Sequence, residues 1–274
     1  MNYTLKRAFV LITLLLAVTM GHAQCLVENT AFQSGERLEY ELYFNWKFVW
    51  LHAGRASLTT TDARWTDGTE AYRSRLVTST SGMVDRHFVM RDTLLSIVSH
   101  NLVPLYYKKA ANEGGKYYVD QVWYTYGDGT AHMRQQYLNR KGQTSHTSTD
   151  RRDCVYDMLS MMLRARSYRA SDFTPGQKLV FPMADGRHVD DVTLIYRGRK
   201  NFKMKSTGIT YRCLVFSFVE YEKNKEKEII TFYITDDDNH MPVRLDLFLK
   251  FGTAKAYLKK AEGLRNPCTS IVEK

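Results

Sequence analysis

Hydrophobic and polar positions alternate with a period of two along most of the chain. In residues 36–46, Leu38, Tyr40, Leu42, Phe44 and Trp46 fall on one face, and Glu39, Glu41, Tyr43 and Asn45 on the other. A strand sends successive side chains to opposite sides, so this run predicts a strand with one apolar face. Residues 116–126 and 130–138 flank Gly127-Asp128-Gly129, and Asp-Gly supplies the positive φ of a tight hairpin turn. The alternation returns in Val192/Leu194/Tyr196, Leu214/Phe216/Phe218, Ile230/Phe232/Ile234 and Val243/Leu245/Leu247/Leu249. Residues 77–90 and 93–99 add two further expected strands. Asp236-Asp237-Asp238-Asn239-His240 reads as a solvated polar turn, and Lys223-Asn224-Lys225-Glu226-Lys227-Glu228 as an exposed hairpin tip.

One segment departs from this period. Between residues 153 and 166, Val155, Met158, Leu159, Met162 and Leu163 fall at i, i+3, i+4, i+7 and i+8, the stripe of an amphipathic helix. Asp150 and Asp153 suit its start, and Arg164 and Arg166 its last turn. Pro175-Gly176 marks the turn beyond it. The methionines Met158, Met161 and Met162 read as core filling, with a pliable ligand wall as the alternative.

Many antiparallel strands with one mid-chain helix predict a mainly β fold. The expected form is a curved antiparallel sheet or a barrel or half-barrel, lipocalin-like or lipoprotein-carrier-like, with the helix against its concave side. One β-rich domain is expected over residues 24–274, with an N-terminal half near 34–140, the helix near 150–167 and a C-terminal half near 177–260.

The first 23 residues read as a secretory signal. Lys6 and Arg7 precede an apolar run at 8–18, and Gly21-His22-Ala23 places small residues before a cut between Ala23 and Gln24. That run is well short of the ~20 residues a membrane span needs, which argues against a retained anchor. Lipidation at Cys25 is a second alternative, but Gln24 stands where a small residue is wanted. No later segment is long and apolar enough to span a bilayer, so the processed chain is expected to be soluble. The expected location is the periplasm or outer envelope of a Gram-negative bacterium.

The chain has 39 basic and 29 acidic residues, a formal charge of +10. Removing the signal lowers it by two. Export excludes nucleic acid as the partner that such a charge would otherwise suggest, leaving lipid head groups, acidic glycans or a solvated surface. Aromatics reach 13% with 18 Tyr, which favours pleated, half-buried surfaces.

Four cysteines, Cys25, Cys154, Cys213 and Cys268, survive processing. Three full pairings exist, and spacing alone does not choose among them. A bridge between Cys25 and Cys268 would join the two ends of the processed chain, with Cys154 and Cys213 left as buried thiols.

Several tracts carry a resemblance. They are Gly35-Glu36-Arg37-Leu38-Glu39-Tyr40, Ala53-Gly54-Arg55-Ala56, Asp157-Met158-Leu159-Ser160-Met161-Met162-Leu163-Arg164, Pro175-Gly176-Gln177 and residues 234–243. Their order resembles the bacterial exported proteins of the domain-of-unknown-function 3108 family, over roughly residues 34–249. The resemblance implies a mostly β envelope protein and transfers no catalytic residue. It also suggests the half-barrels of lipid and lipoprotein carriers, an analogy of fold rather than of function.

Candidate chemistry is sparse. His188, Asp190 and Asp191, with Asp185 upstream, are too few for a zinc site without a second histidine. The run from Asp236 to Asn239 offers oxygens to calcium but lacks the glycine and distal glutamate of a calcium loop. Asp85, His87, Ser79, Ser81 and Ser160 allow a hydrolase triad to be imagined, without a Gly-x-Ser-x-Gly elbow. Phosphate-binding and dinucleotide fingerprints are absent, so no cofactor is expected. A non-enzymatic binder or carrier of an apolar or amphiphilic ligand, such as a lipid, is the expected function. The motive is the aromatic apolar face formed by Tyr40, Phe44, Trp46, Trp123, Tyr124, Phe216 and Phe218. An envelope scaffold acting through protein contacts and an envelope hydrolase are the alternatives. A cavity would favour the first, a filled interior the second, and a His–carboxylate cleft the third.

Overall fold

A computed structural model describes residues 25–46, 49–222, 225–249 and 252–273. The expected signal with its Ala23/Gln24 cut, the side chain of Trp46, and Lys223-Asn224 lie outside the described residues.

The alternating tracts form strands. The first meander holds β1 (Arg37–Trp46), β2 (Val49–Arg64), β3 (Glu70–Thr80), β4 (Met90–Ser99), β5 (Pro104–Glu113), β6 (Lys116–Gly127), β7 (Thr130–Leu138) and β8 (Thr144–Arg151). A one-turn helix, α1 (Gly82–Asp85), lies between β3 and β4, and the longer helix α2 (Met158–Arg166) follows β8. The second meander holds β9 (Lys178–Ala184), β10 (Val189–Lys203), β11 (Thr210–Glu222), β12 (Lys225–Thr235), β13 (Pro242–Leu249) and β14 (Gly252–Glu262). A short β15 (Ile271–Glu273) pairs with β11.

All of these strands belong to one antiparallel sheet, ordered β8-β7-β6-β5-β4-β3-β2-β1-β14-β13-β12-β11-β10-β9. Hairpins make every step of this order except the join of β1 to β14, which runs from Arg37↔Glu262 to Asn45↔Thr253. The sheet curls but does not close, and β8 and β9 remain its edges. The chain entering α2 covers the β9 edge: Tyr156 donates its N–H to Pro182 O at 3.0 Å and accepts from Ala184 N–H at 2.8 Å. The buried Gln135 amide, on β7, donates to Asp185 O and His188 O at 2.8 and 2.9 Å. The gap between the two ends of the sheet is thus spanned by the β7 side chain Gln135 and by the segment bridging β9, rather than by a ladder.

The Asp128-Gly129 hairpin forms as its residues predict, with φ of 51° and 69° at the two turn positions. Residues 77–90 do not form one strand. β3 ends at Thr80, and Ser81-Gly82 turns the chain into α1, with Gly82 at φ 62°.

The helix begins at Met158, five residues later than expected, because its cap is Asp157 rather than Asp150 or Asp153. One Asp157 oxygen accepts from Leu159 N–H and Ser160 N–H at 2.9 Å each, and Ser160 Oγ accepts from Asp157 N–H. That is a reciprocal capping box. Ser96 Oγ donates to the other Asp157 oxygen at 3.0 Å, tying the helix start to β4. Leu159 and Leu163 are fully buried, joining two clusters of the core. Met161 packs in a third with Tyr156, Phe181 and Leu194, whereas Met158 is exposed.

The helix ends in a buried clasp. Arg166 is inaccessible to solvent and holds Glu36 with both terminal guanidinium nitrogens, at 2.6 and 2.8 Å. It also donates twice to Asn239 O, at 3.1 and 3.0 Å. Asp237 accepts from Thr235 Oγ1, Asn239 N–H and Ser270 N–H. The Asp236–His240 turn is therefore not the solvated loop expected, since Asp237 and Asn239 are buried. The clasp draws together the start of β1, the end of α2, the β12–β13 turn and the C-terminal segment.

The expected Cys25–Cys268 bridge is replaced by Cys25–Cys154, whose Cα atoms are 5.5 Å apart. The N-terminal segment runs beside α2: Arg164 donates to Cys25 O at 2.7 Å, and Val27 N–H donates to Asn101 O at 3.0 Å. That course brings Cys25 to the chain entering the helix. Cys268 stays a half-buried thiol beside Ser270, and Cys213 a buried one. A cysteine in a disulfide has no thiol left for a lipid thioether.

Candidate ligand-binding cavity

Inside the curl lies a cavity of about 720 Å³. Its walls come from the inner faces of β1, β2, β3, β13 and β14. Met162 of α2 forms part of the wall, as does the β3–β4 connection with Met83, Val84 and Phe88. The space follows from residue size. Tyr40, Leu42 and Phe44 point inward from β1, but opposite them stand alanines: Tyr40↔Ala56 on β2, and Leu42↔Ala256 and Phe44↔Ala254 on β14. Small side chains on both flanks of β1 leave unfilled the volume that leucines would occupy.

Backbone shape adds to this. The β1–β2 register slips between Leu42 and Tyr43, so that Leu42 faces Gly54 and Tyr43 faces His52. Ala53 is the extra residue of a bulge, and it lines the cavity. Gly54 has φ 153°, and a Cβ there would lie 2.0 Å from Ser79 O. Only glycine permits this approach of β2 to β3.

The interior offers few unsatisfied polar groups. Tyr40 Oη donates to Pro242 O at 3.0 Å, and burial pushes its phenol far above the usual range. Thr80 Oγ1 donates to Asp85 and accepts from Met90 N–H at 2.8 Å. Asp85 is also held by Arg91, at 2.6 and 3.1 Å, and these hydrogen bonds keep its carboxyl below the ordinary value. This latch pins α1 against β4. Besides the phenols of Tyr40 and Tyr43, the ionisable groups in the lining are His87, Glu113 and Lys255. Burial lowers the Lys255 ammonium, which sits 4.5 Å over the Trp50 ring. The wall residues Met83, Phe88 and Leu249 are 65%, 49% and 52% exposed, so the cavity opens among them.

Of the aromatic residues expected on one ligand-facing surface, Trp46 has its side chain outside the described residues; among the rest, Tyr40 and Phe44 line the cavity. Tyr124 is buried in the main core. Trp123 packs against Tyr106 and under Arg134, and Phe216 packs against Tyr196 and Phe173. Phe218 packs with the Met161 cluster. The alanines, which define the space, were legible only as small residues within alternating runs. Of the methionine stripe, Met162 lines the cavity.

The other candidate groups do not converge. Asp185 accepts from Arg187 N–H and His188 N–H in a turn, while Asp191 faces Arg151 at 3.5 Å. Asp236 is held by Arg199 and Arg212 at 2.9 and 3.0 Å, so the carboxylate of this residue, one of the candidate calcium oxygens, is committed to protein donors. Ser160 completes the capping box of α2, and Asp85 latches α1. Among the described residues no helix is long and apolar enough to cross a membrane.

Comparison with known families places the chain. The profile of the protein family of unknown function DUF3108 matches residues 39–259. The chain belongs to the DUF3108 family. This DUF3108 protein has no match among curated proteins. Among solved structures it is similar to a β-barrel-like protein of the domain of unknown function DUF1849 from Brucella abortus. That likeness has 9% identity, a TM-score of 0.57, and covers 85% of this chain and 98% of the other. It extends to the fold. An alignment to a putative exported protein with a YmcC-like fold from Bacteroides fragilis has 6% identity and a TM-score of 0.32, over 87% of this chain and 99% of the other.

Proposed function

We propose that this DUF3108 protein binds and carries an apolar or amphiphilic ligand, a lipid by class, in the bacterial cell envelope. The cavity carries the reading. Its 720 Å³ falls within the ~300–1,000 Å³ of small-molecule sites. Its walls are overwhelmingly aliphatic and aromatic; besides the phenols of Tyr40 and Tyr43, the ionisable groups of the lining are His87, Glu113 and Lys255. An acyl chain or similar apolar body would release water from Leu42, Leu58, Leu76 and Leu245, and a polar head would meet the ionisable groups. Placement in the periplasm or outer envelope is supported by the signal-like first 23 residues and by the Cys25–Cys154 bridge, since disulfides persist in oxidising compartments.

The test is solvent extraction of protein purified from its native envelope, followed by mass spectrometry. The reading expects recovery of one lipid class in near-stoichiometric amount. Extracts no different from those of an unrelated envelope protein purified alongside it would refute it.

A further inference from the structure

We infer that the cavity mouth is also a docking surface, and that its partner is the head-group region of an anionic lipid bilayer. Twelve large apolar side chains are exposed among the described residues. Six of them, Val49 and Trp50 at the start of β2, Phe248 and Leu249 at the end of β13, and Met83 and Phe88 between β3 and β4, border three separate connections. The registers Trp46↔Val49, Leu249↔Gly252, Asn45↔Thr253, Gly54↔Thr80 and Met90↔Glu113 put those connections at one end of the sheet. That end is the one where the cavity opens. Apolar groups gathered around an opening, with a Trp among them, match the interfacial zone of a membrane.

Charge selects this partner over others. Arg86 and Lys116 at the same end are exposed and enter no ion pair among the described residues. Lys255 lies against Trp50, where cation and ring together suit a phosphate beside an interfacial indole. The nearby acids are already neutralised: Asp85 by Arg91 at 2.6 Å, and Glu113 by Arg140 at 3.4 Å and Lys109 at 3.8 Å. The rim therefore presents grease flanked by unpaired positive charge. Docked there, an amphiphile would pass between bilayer and cavity without crossing bulk water. The docking goes beyond the carrier reading and is physically separate from it.

Co-sedimentation of delipidated protein with vesicles tests it. Binding is expected to vesicles of phosphatidylethanolamine mixed with phosphatidylglycerol, and to be much weaker with phosphatidylcholine alone. The V49S/M83S/L249S variant should lose at least ~10-fold in partitioning, from the apolar area it no longer inserts. R86Q and K116Q should each lose about fivefold on anionic vesicles. V180S, exposed on the edge strand β9 and outside the cavity lining, serves as a control and should bind as the parent does. Thermal melts confirm that each variant is folded. A cavity-filled variant, A256F, should still dock, which separates failure of docking from failure of the carrier reading. The inference is overturned if the parent ignores both vesicle types, if V180S loses as much as the rim variant, or if the rim instead mediates self-association or capture of a protein while vesicles stay unbound.

Discussion

Arg166 and Glu36 show how much of this protein's stability is concentrated in single polar contacts. Each is buried, and each satisfies the other's charge through two hydrogen bonds. Removing one partner leaves an uncompensated charge away from water. E36Q or R166M is expected to lower unfolding free energy by about 3–5 kcal/mol, measured by urea denaturation. The double variant E36L/R166M should recover part of that loss, since replacing both charges costs less than orphaning one. Asp157 makes a second prediction at this scale. Burial outweighs its capping hydrogen bonds and raises its pKa from 3.8 to about 6. Folding therefore favours the protonated carboxyl. Its contribution is full below about pH 3.8 and is lost as pH climbs through 6. Relative to the parent, D157N should gain stability between pH 4 and pH 7, by up to about 3 kcal/mol, because Asn keeps the cap without the charge. Asp92, raised to about 6 chiefly by burial, leaves a residual slope in the same window. Equal pH profiles for D157N and the parent would contradict the assignment.

At the scale of elements, local pattern was a good guide and partnership was not. Alternation marked most strands and Asp128-Gly129 marked its hairpin, because both signals reside in adjacent residues. The break at Ser81-Gly82 was also present in the chain but was outweighed by the apolar residues around it. The β1–β14 pairing joins residues more than two hundred positions apart, and an apolar face does not specify which strand lies beside it. Arg166 read as a cation suited to a helix's last turn, and Asp237 and Asn239 as turn residues. Their burial depends on which segments meet. The cysteines follow the same logic, since their pairing depends on where the N-terminal segment runs. Peptide mapping without reduction should recover Cys25 linked to Cys154. Cys213, whose thiol burial pushes up to about 12, should resist alkylation until the protein is denatured. Removing the bridge as C25S/C154S frees a loop spanning 129 residues, for which loop entropy sets a limit of about 5 kcal/mol of lost stability. A Cys25–Cys268 peptide in that map would contradict the course drawn for the N-terminal segment.

For the whole molecule, the curved sheet solves one problem and creates an opportunity. Two meanders joined at β1 and β14 wrap their apolar faces around α2, and the clasp at Arg166 holds helix, sheet and C-terminal segment together. Most of the interior is filled, but the alanines beside β1 and the bulge at Ala53 keep one region open. The mainly β, barrel-like form was legible in the sequence, and so was the family. The cavity was legible only as an expectation, because its alanines acquire meaning once β1, β2 and β14 are known to be neighbours.

The central claim is that this space binds a ligand, and the most direct measurement fills it. A hydrophobic fluorescent probe should titrate into the delipidated parent with saturable, one-to-one binding. A56F/A256F, which places two phenyl rings where the alanines stand, should bind at least ~10-fold more weakly while melting no lower than a few degrees below the parent. Unsaturable binding in the parent, or undiminished binding in the folded, filled variant, would contradict the account.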